Sequence, residues 1–106
     1  MGEVKTPPVA AHLVEKNRFR LDGIGRVPGS FYFGERHESG SQTFWYCCPC
    51  GCGATGVILV GNGFKPVSDR PSWNWNGSLD KPTLTPSVHH VGHWHGWLTD
   101  GVWVSC

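Results

Sequence analysis

Hydrophobic and polar positions along this chain fall into short blocks separated by glycine and proline, and the blocks set the expected elements. Residues 30–33 (SFYF) form a brief aromatic run that predicts a strand. Residues 43–48 (TFWYCC) and 55–60 (TGVILV) flank a glycine-rich turn, which predicts a β-hairpin with cysteines at its tip. NG at 62–63 is a turn signal. In SWNWNG the indoles of Trp73 and Trp75 alternate with Asn74 and Asn76, the period of an extended segment with one buried face. Prolines 82 and 86 disfavour helix on either side of Leu84. HWHGWLTDGVWVS predicts a second hairpin, with strands at 93–98 and 102–105 and a turn at Thr99, Asp100 and Gly101.

The first 17 residues carry no such pattern. KTPPVA favours extended, polyproline-like backbone. AAHLVEKNRF has length for one or two helical turns but no helical periodicity. Residues 1–17 are therefore expected as a flexible arm and residues 18–106 as one domain. The fold class expected is mainly β, a small zinc-stapled domain of two or more hairpins with little helix.

Composition narrows the function classes. The 106-residue chain has 15 Gly and 8 Pro, which suits turns and short strands. Only 16% of residues are charged and the formal net charge is +1, so no basic stripe points to nucleic acid. No apolar run approaches the ~20 residues of a membrane helix. The opening MGEVKTPPVA lacks the apolar core of a signal peptide, so the expected compartment is the cytoplasm. There, clustered thiols read as metal ligands before disulfides.

Four of the five cysteines lie in CCPCGCG, residues 47–53. Cys48, Cys50 and Cys52 share parity, and Pro49, Gly51 and Gly53 permit a tight knuckle that turns their sulfurs inward. Zinc takes thiolate and imidazole ligands tetrahedrally, so three sulfurs leave one place for a histidine. His93 and His95 are two apart and, on a strand, project from one face, so either is a candidate fourth ligand. Cys47 is then a core thiol and Cys106 an exposed one. The bland alternative is a set of small buried thiols in a glycine-rich turn.

Catalytic patterns are incomplete. HES at 37–39 does not supply the H-x-E of the zinc deaminases, and GNGFKP lacks the lysine and hydroxyl of a phosphate loop. Ser87 precedes histidines, with no acid evidently placed to orient them. The tryptophans fit a packed core or an aromatic binding groove equally in kind.

Three stretches, FWYCCPCGCG, SWNWNGSLDKPTLTPSV and HWHGWLTDGVW, resemble the DUF6527 family of small bacterial and phage proteins over residues 30–106. Some phage members of that family bear the label ammonia monooxygenase, which a chain without a membrane span does not support. The resemblance implies Cys48, Cys50 and Cys52 as the knuckle and His95 as the histidine before the turn. Many members carry Cys before that histidine where this chain has Trp94, which brings in His93. Some relatives accompany ubiquitin-like conjugation genes, a pointer to a protein partner.

The resulting expectation is a phage or prophage accessory protein with a structural zinc ion that binds a host or phage macromolecule, with enzymatic activity left open. The alternative is a small zinc hydrolase or deaminase-like enzyme using His93, His95 and a metal-bound water.

Overall fold

The computed structural model describes residues 5–15 and 27–106. Nine strands make up one sheet: β1 (Val9–Ala10), β2 (His12–Leu13), β3 (Ser30–Phe33), β4 (Ser41–Cys47), β5 (Thr55–Asn62), β6 (Ser72–Trp75), β7 (Leu84–His90), β8 (Trp94–Thr99) and β9 (Val102–Ser105). The described residues contain no helix. No helix among them is long and apolar enough to cross a membrane.

The spatial order β1-β9-β8-β7-β6-β5-β4-β3-β2 places β1 at one edge and β2 at the other. These two strands are consecutive, separated only by Ala11. The one segment therefore pairs antiparallel with β9 and parallel with β3, and the sheet rolls into a nearly closed barrel. The amides of Ala11 and His12 bond the carbonyls of Gly101 and Gly29, and the Trp103 indole also donates to the Gly29 carbonyl, at 3.0 Å. Residues 5–15 of the expected arm include these strands, whose backbone is extended, not helical. The rest of that arm, and of the helical turns, lies outside the described residues.

Period-two patterning fills the barrel. On β8, Trp94, Gly96 and Leu98 are buried while His95, Trp97 and Thr99 face outward. On β4, Phe44 and Tyr46 point in and meet Phe31, Val60, Trp75, Leu84, Val88 and Trp103. Rings supply most of this core because strands this short carry few side chains each; Trp94 and Trp103, for example, meet edge-on with centroids 5.7 Å apart. Outside the wall, Tyr32 stacks on Trp45 and covers Cys47.

Both expected hairpins are present. β4 and β5 pair along their length around the cysteine tip. β8 and β9 are joined by Asp100 (φ 48°) and Gly101 (φ 77°), the left-handed pair that a two-residue turn between twisted strands requires. One boundary differs from expectation. β8 begins at Trp94, and His93 lies in a turn closed by its own amide on the His90 carbonyl, at 2.9 Å.

Candidate functional site

Two clusters carry chemistry. The first is the knuckle at residues 48–54. The Cys48 amide bonds the Ala54 carbonyl and the Gly51 amide bonds the Cys48 carbonyl, which closes the loop. Gly51 (φ 86°) and Gly53 (φ 81°) take conformations that other residues resist. The fold thus gathers the Sγ atoms of Cys48, Cys50 and Cys52 within 4.8 Å of one another. Sulfurs bound tetrahedrally to one zinc ion, at about 2.3 Å each, stand roughly 3.8 Å apart, so the three thiols fit a single ion of this type. Cys48 is buried in the barrel core, Cys50 is half-buried against it, and Cys52 is exposed.

Burial pushes the Cys48 thiol above its ordinary range, and the neighbouring Cys50 and Cys52 add to this, although the Cys50 backbone amide works in the opposite sense. At Cys52, burial also acts upward but is outweighed. The Ala54 amide, donating to its sulfur at 3.4 Å, and the Cys50 and Cys48 thiols hold Cys52 below its ordinary value. Cys47 is fully buried on the other side of the wall and Cys106 is exposed, as their sequence positions predict.

No imidazole nitrogen joins these sulfurs at that mutual distance among the described residues. His93 and His95 do not share a strand face. The turn puts the His93 ring beside His90, with centroids 4.8 Å apart, while His95 projects from the outside of β8. Strand alternation does not reach His93, because the turn that holds Gly92 (φ 80°) extends through His93 and β8 begins only at Trp94.

The second cluster surrounds His95. The ladder pairs His89 with His95 and Val88 with Gly96. Val88 and Gly96 face the core, so both imidazoles lie on the outer face, with ring centroids 4.6 Å apart. Between Leu84 and Val88 the register shifts: β7 spends four residues where β8 spends two. Pro86 sits in this bulge, where a residue without an N–H is tolerated. The bulge re-aims Ser87, as bulges do near reactive sites. Its Oγ comes 3.0 Å from His95 Nε2. Behind it, the Trp73 indole donates to the Ser87 carbonyl at 3.1 Å.

Ser87 is not marked as a reactive group in the sequence, because no acid stands beside the histidines that follow it. The available signal was geometric: Ser87 and His89 share parity, and the tight turn brings β8 back alongside them. Of the remaining histidines, His12 lies on β2 and His37 in the β3–β4 connection, and both are exposed.

A serine hydroxyl within hydrogen-bond reach of an imidazole nitrogen is the minimal unit of serine nucleophilic catalysis. The Ser87 hydroxyl can donate to Nε2 when His95 carries its proton on Nδ1.

Comparison with known proteins identifies a family. A family model described as bacterial ubiquitination-like system serine protease (BubE) matches residues 14–106. No curated protein and no solved structure matches the chain. The match corrects the resemblance to DUF6527: the family is a different one, and it names a bacterial system, leaving the expected phage origin without support. The match spans most of the chain, which therefore belongs to the BubE family and is a component of a bacterial ubiquitination-like system.

Proposed function

We propose that this protein is a serine hydrolase of its ubiquitination-like system, with Ser87 as nucleophile and His95 as general base, and that its metal is structural. The observation that carries the reading is the 3.0 Å contact between Ser87 Oγ and His95 Nε2 on the solvent side of the barrel wall. The family description supplies the reaction class.

In the first step His95 Nε2 takes the Ser87 proton as Oγ bonds to the substrate carbonyl carbon. Collapse of the tetrahedral species breaks the bond to the leaving amine or alcohol, which receives the proton from His95. An ester on Ser87 remains. A water then gives its proton to His95, attacks the ester carbonyl, and releases a carboxylic acid product while Ser87 regains its proton. The His89 ring packs against His95 and limits its rotation, an orienting role that an acid fills in other serine hydrolases.

Zinc fits the three thiolates, and when bound it would supply folding energy rather than chemistry. Three thiolates donate enough charge to make the ion a poor acid toward water, and Ser87 provides a nucleophile without it. With His95 engaged by Ser87, His93 is the remaining histidine of the two expected for the fourth position. The partner expected from the sequence then takes the form of a protein substrate.

The test is covalent labelling with a small fluorophosphonate, followed by peptide mapping. Stoichiometric modification of Ser87, absent in Ser87→Ala, is expected. Failure of folded protein to label there would reject the reading, as would hydrolysis of a conjugate by Ser87→Ala at the native rate.

A further inference from the structure

The barrel wall is incomplete beside Ser87. β6 pairs with β5 from Leu59 onward and with β7 only at Leu84 and Thr85. Toward the cysteine end, residues 55–58 of β5 and residues 87–90 of β7 consequently have no strand of the sheet between them. At this slot lies a cavity of about 190 Å³, lined by Thr43, Val57, Ile58, Leu59, Arg70, Pro71 and Trp73, of which Ile58 and Trp73 also pack on the core. Apart from Thr43 and Arg70, these are apolar groups. Trp73 joins the cavity to the reactive serine, because the indole that lines it also holds the Ser87 carbonyl at 3.1 Å.

From this continuity we infer that the cavity is a specificity subsite that takes a leucine-sized aliphatic side chain of an extended peptide lying along the wall toward Ser87. The inference rests on the hydrolase reading of Ser87. Four features support it. Thr43, Val57 and Leu59 contribute to the cavity from the outer face, the face of Ser87 and His95. Its volume accommodates one branched side chain. Val57 is 48% exposed, so an apolar rim faces water where a ligand would cover it. An extended substrate presents alternate side chains to a wall, so one pocket at a fixed distance from the nucleophile reads a single position. Trp73 thereby acts as a positioning residue and a pocket wall at once, fixing the serine backbone relative to the side chain that the pocket accepts.

The experiment uses the full chain and a panel of tripeptidyl diphenyl phosphonates in which each position is Gly, Leu or Phe. Such probes form a bond from Ser87 Oγ to phosphorus with loss of phenol. The readout is the Leu/Gly ratio of labelling rates at each position, so that a misfolded fraction cancels. One position is expected to favour Leu by about tenfold or more, the scale of burying a few methylenes. Val57→Trp fills the cavity and should bring that ratio to about one. Val57→Ala widens it and should shift the preference toward Phe. A panel without discrimination at any position overturns the subsite, as does a Leu preference that survives Val57→Trp. Absence of labelling by every phosphonate and by the small fluorophosphonate rejects the hydrolase reading, and the subsite falls with it.

Discussion

Ser87 occupies a position that strand geometry alone would not give it. Continued from the pairing of Val88 with Gly96, a regular ladder would set Ser87 opposite Trp97, and the register shift around Pro86 brings its hydroxyl to His95 instead. Under the proposed mechanism the value of this contact is kinetic. Removing an activated nucleophile from a serine hydrolase lowers turnover by a factor on the order of 10⁴ or more. Ser87→Ala is accordingly expected to lose cleavage of the system's conjugates by that amount, with its melting temperature little changed, because the hydroxyl is half-exposed and its hydrogen bond is to a surface histidine. His95→Gln keeps a polar group at the same place but removes the base. Its labelling rate should fall by roughly 10²–10⁴. A rate within twofold of the native protein, measured by stopped labelling and mass spectrometry, would dismiss His95 as the base.

At the level of elements, β8 shows what holds the two faces apart. Gly96 lies inside the wall with no room for a side chain: an added Cβ would stand 2.2 Å from the Val104 carbonyl oxygen and 2.4 Å from the Trp94 ring. The Trp94 indole occupies that space and donates to Ser105 Oγ at 3.0 Å. Gly96→Ala must therefore displace the backbone of β9 or the ring. A loss of about 1–3 kcal/mol, the usual cost of overpacking, is expected in urea unfolding. Unchanged stability would mean that β9 yields freely. The same element marks the limit of reading sequence. Its alternation placed Trp94 opposite in sense to His95, and the Asp100 and Gly101 turn fixed its partner, because both signals are local. The pairing of β5 with β6 in parallel, and of one N-terminal segment with two distant strands, joins residues far apart in the chain without any local mark. The knuckle was legible for the first reason, since three cysteines and two left-handed glycines lie within six residues. The Ser87 and His95 contact was not, since it depends on a register shift that Pro86 permits but does not by itself specify.

Across the whole molecule the proposed function divides the work of stability and reactivity between the two clusters. A domain of this size buries only about two-thirds of the surface its unfolded chain exposes, so a metal held by the three cysteines at one end of the barrel would add a substantial share of its stability. Cys48 and Cys50 pack on the same core as Phe44, Tyr46 and Trp103, so metal release would free a corner of that core. Closure at the opposite margins of the sheet depends on residues 9–13, supplemented by Thr6, whose hydroxyl accepts from the Trp94 indole at 3.2 Å. Deleting residues 1–14 should open the barrel between β9 and β3 and lower the melting temperature by 10 °C or more; a deletion that melts with the full chain would mean that these edges close without the segment. Metal removal tests the division of labour most directly. Structural zinc contributes folding energy on the order of 10 kcal/mol in small domains. Stripping the reduced protein with a chelator, or replacing the half-buried ligand by Cys50→Ser, should abolish near-ultraviolet dichroism and Ser87 labelling together, and zinc should restore both together after chelation. A metal that served the chemistry would instead be lost with the aromatic signal intact and labelling alone abolished. Coincidence of the two signals over a chelator titration is thus the expected outcome, and their separation would move the ion from the scaffold to the reaction.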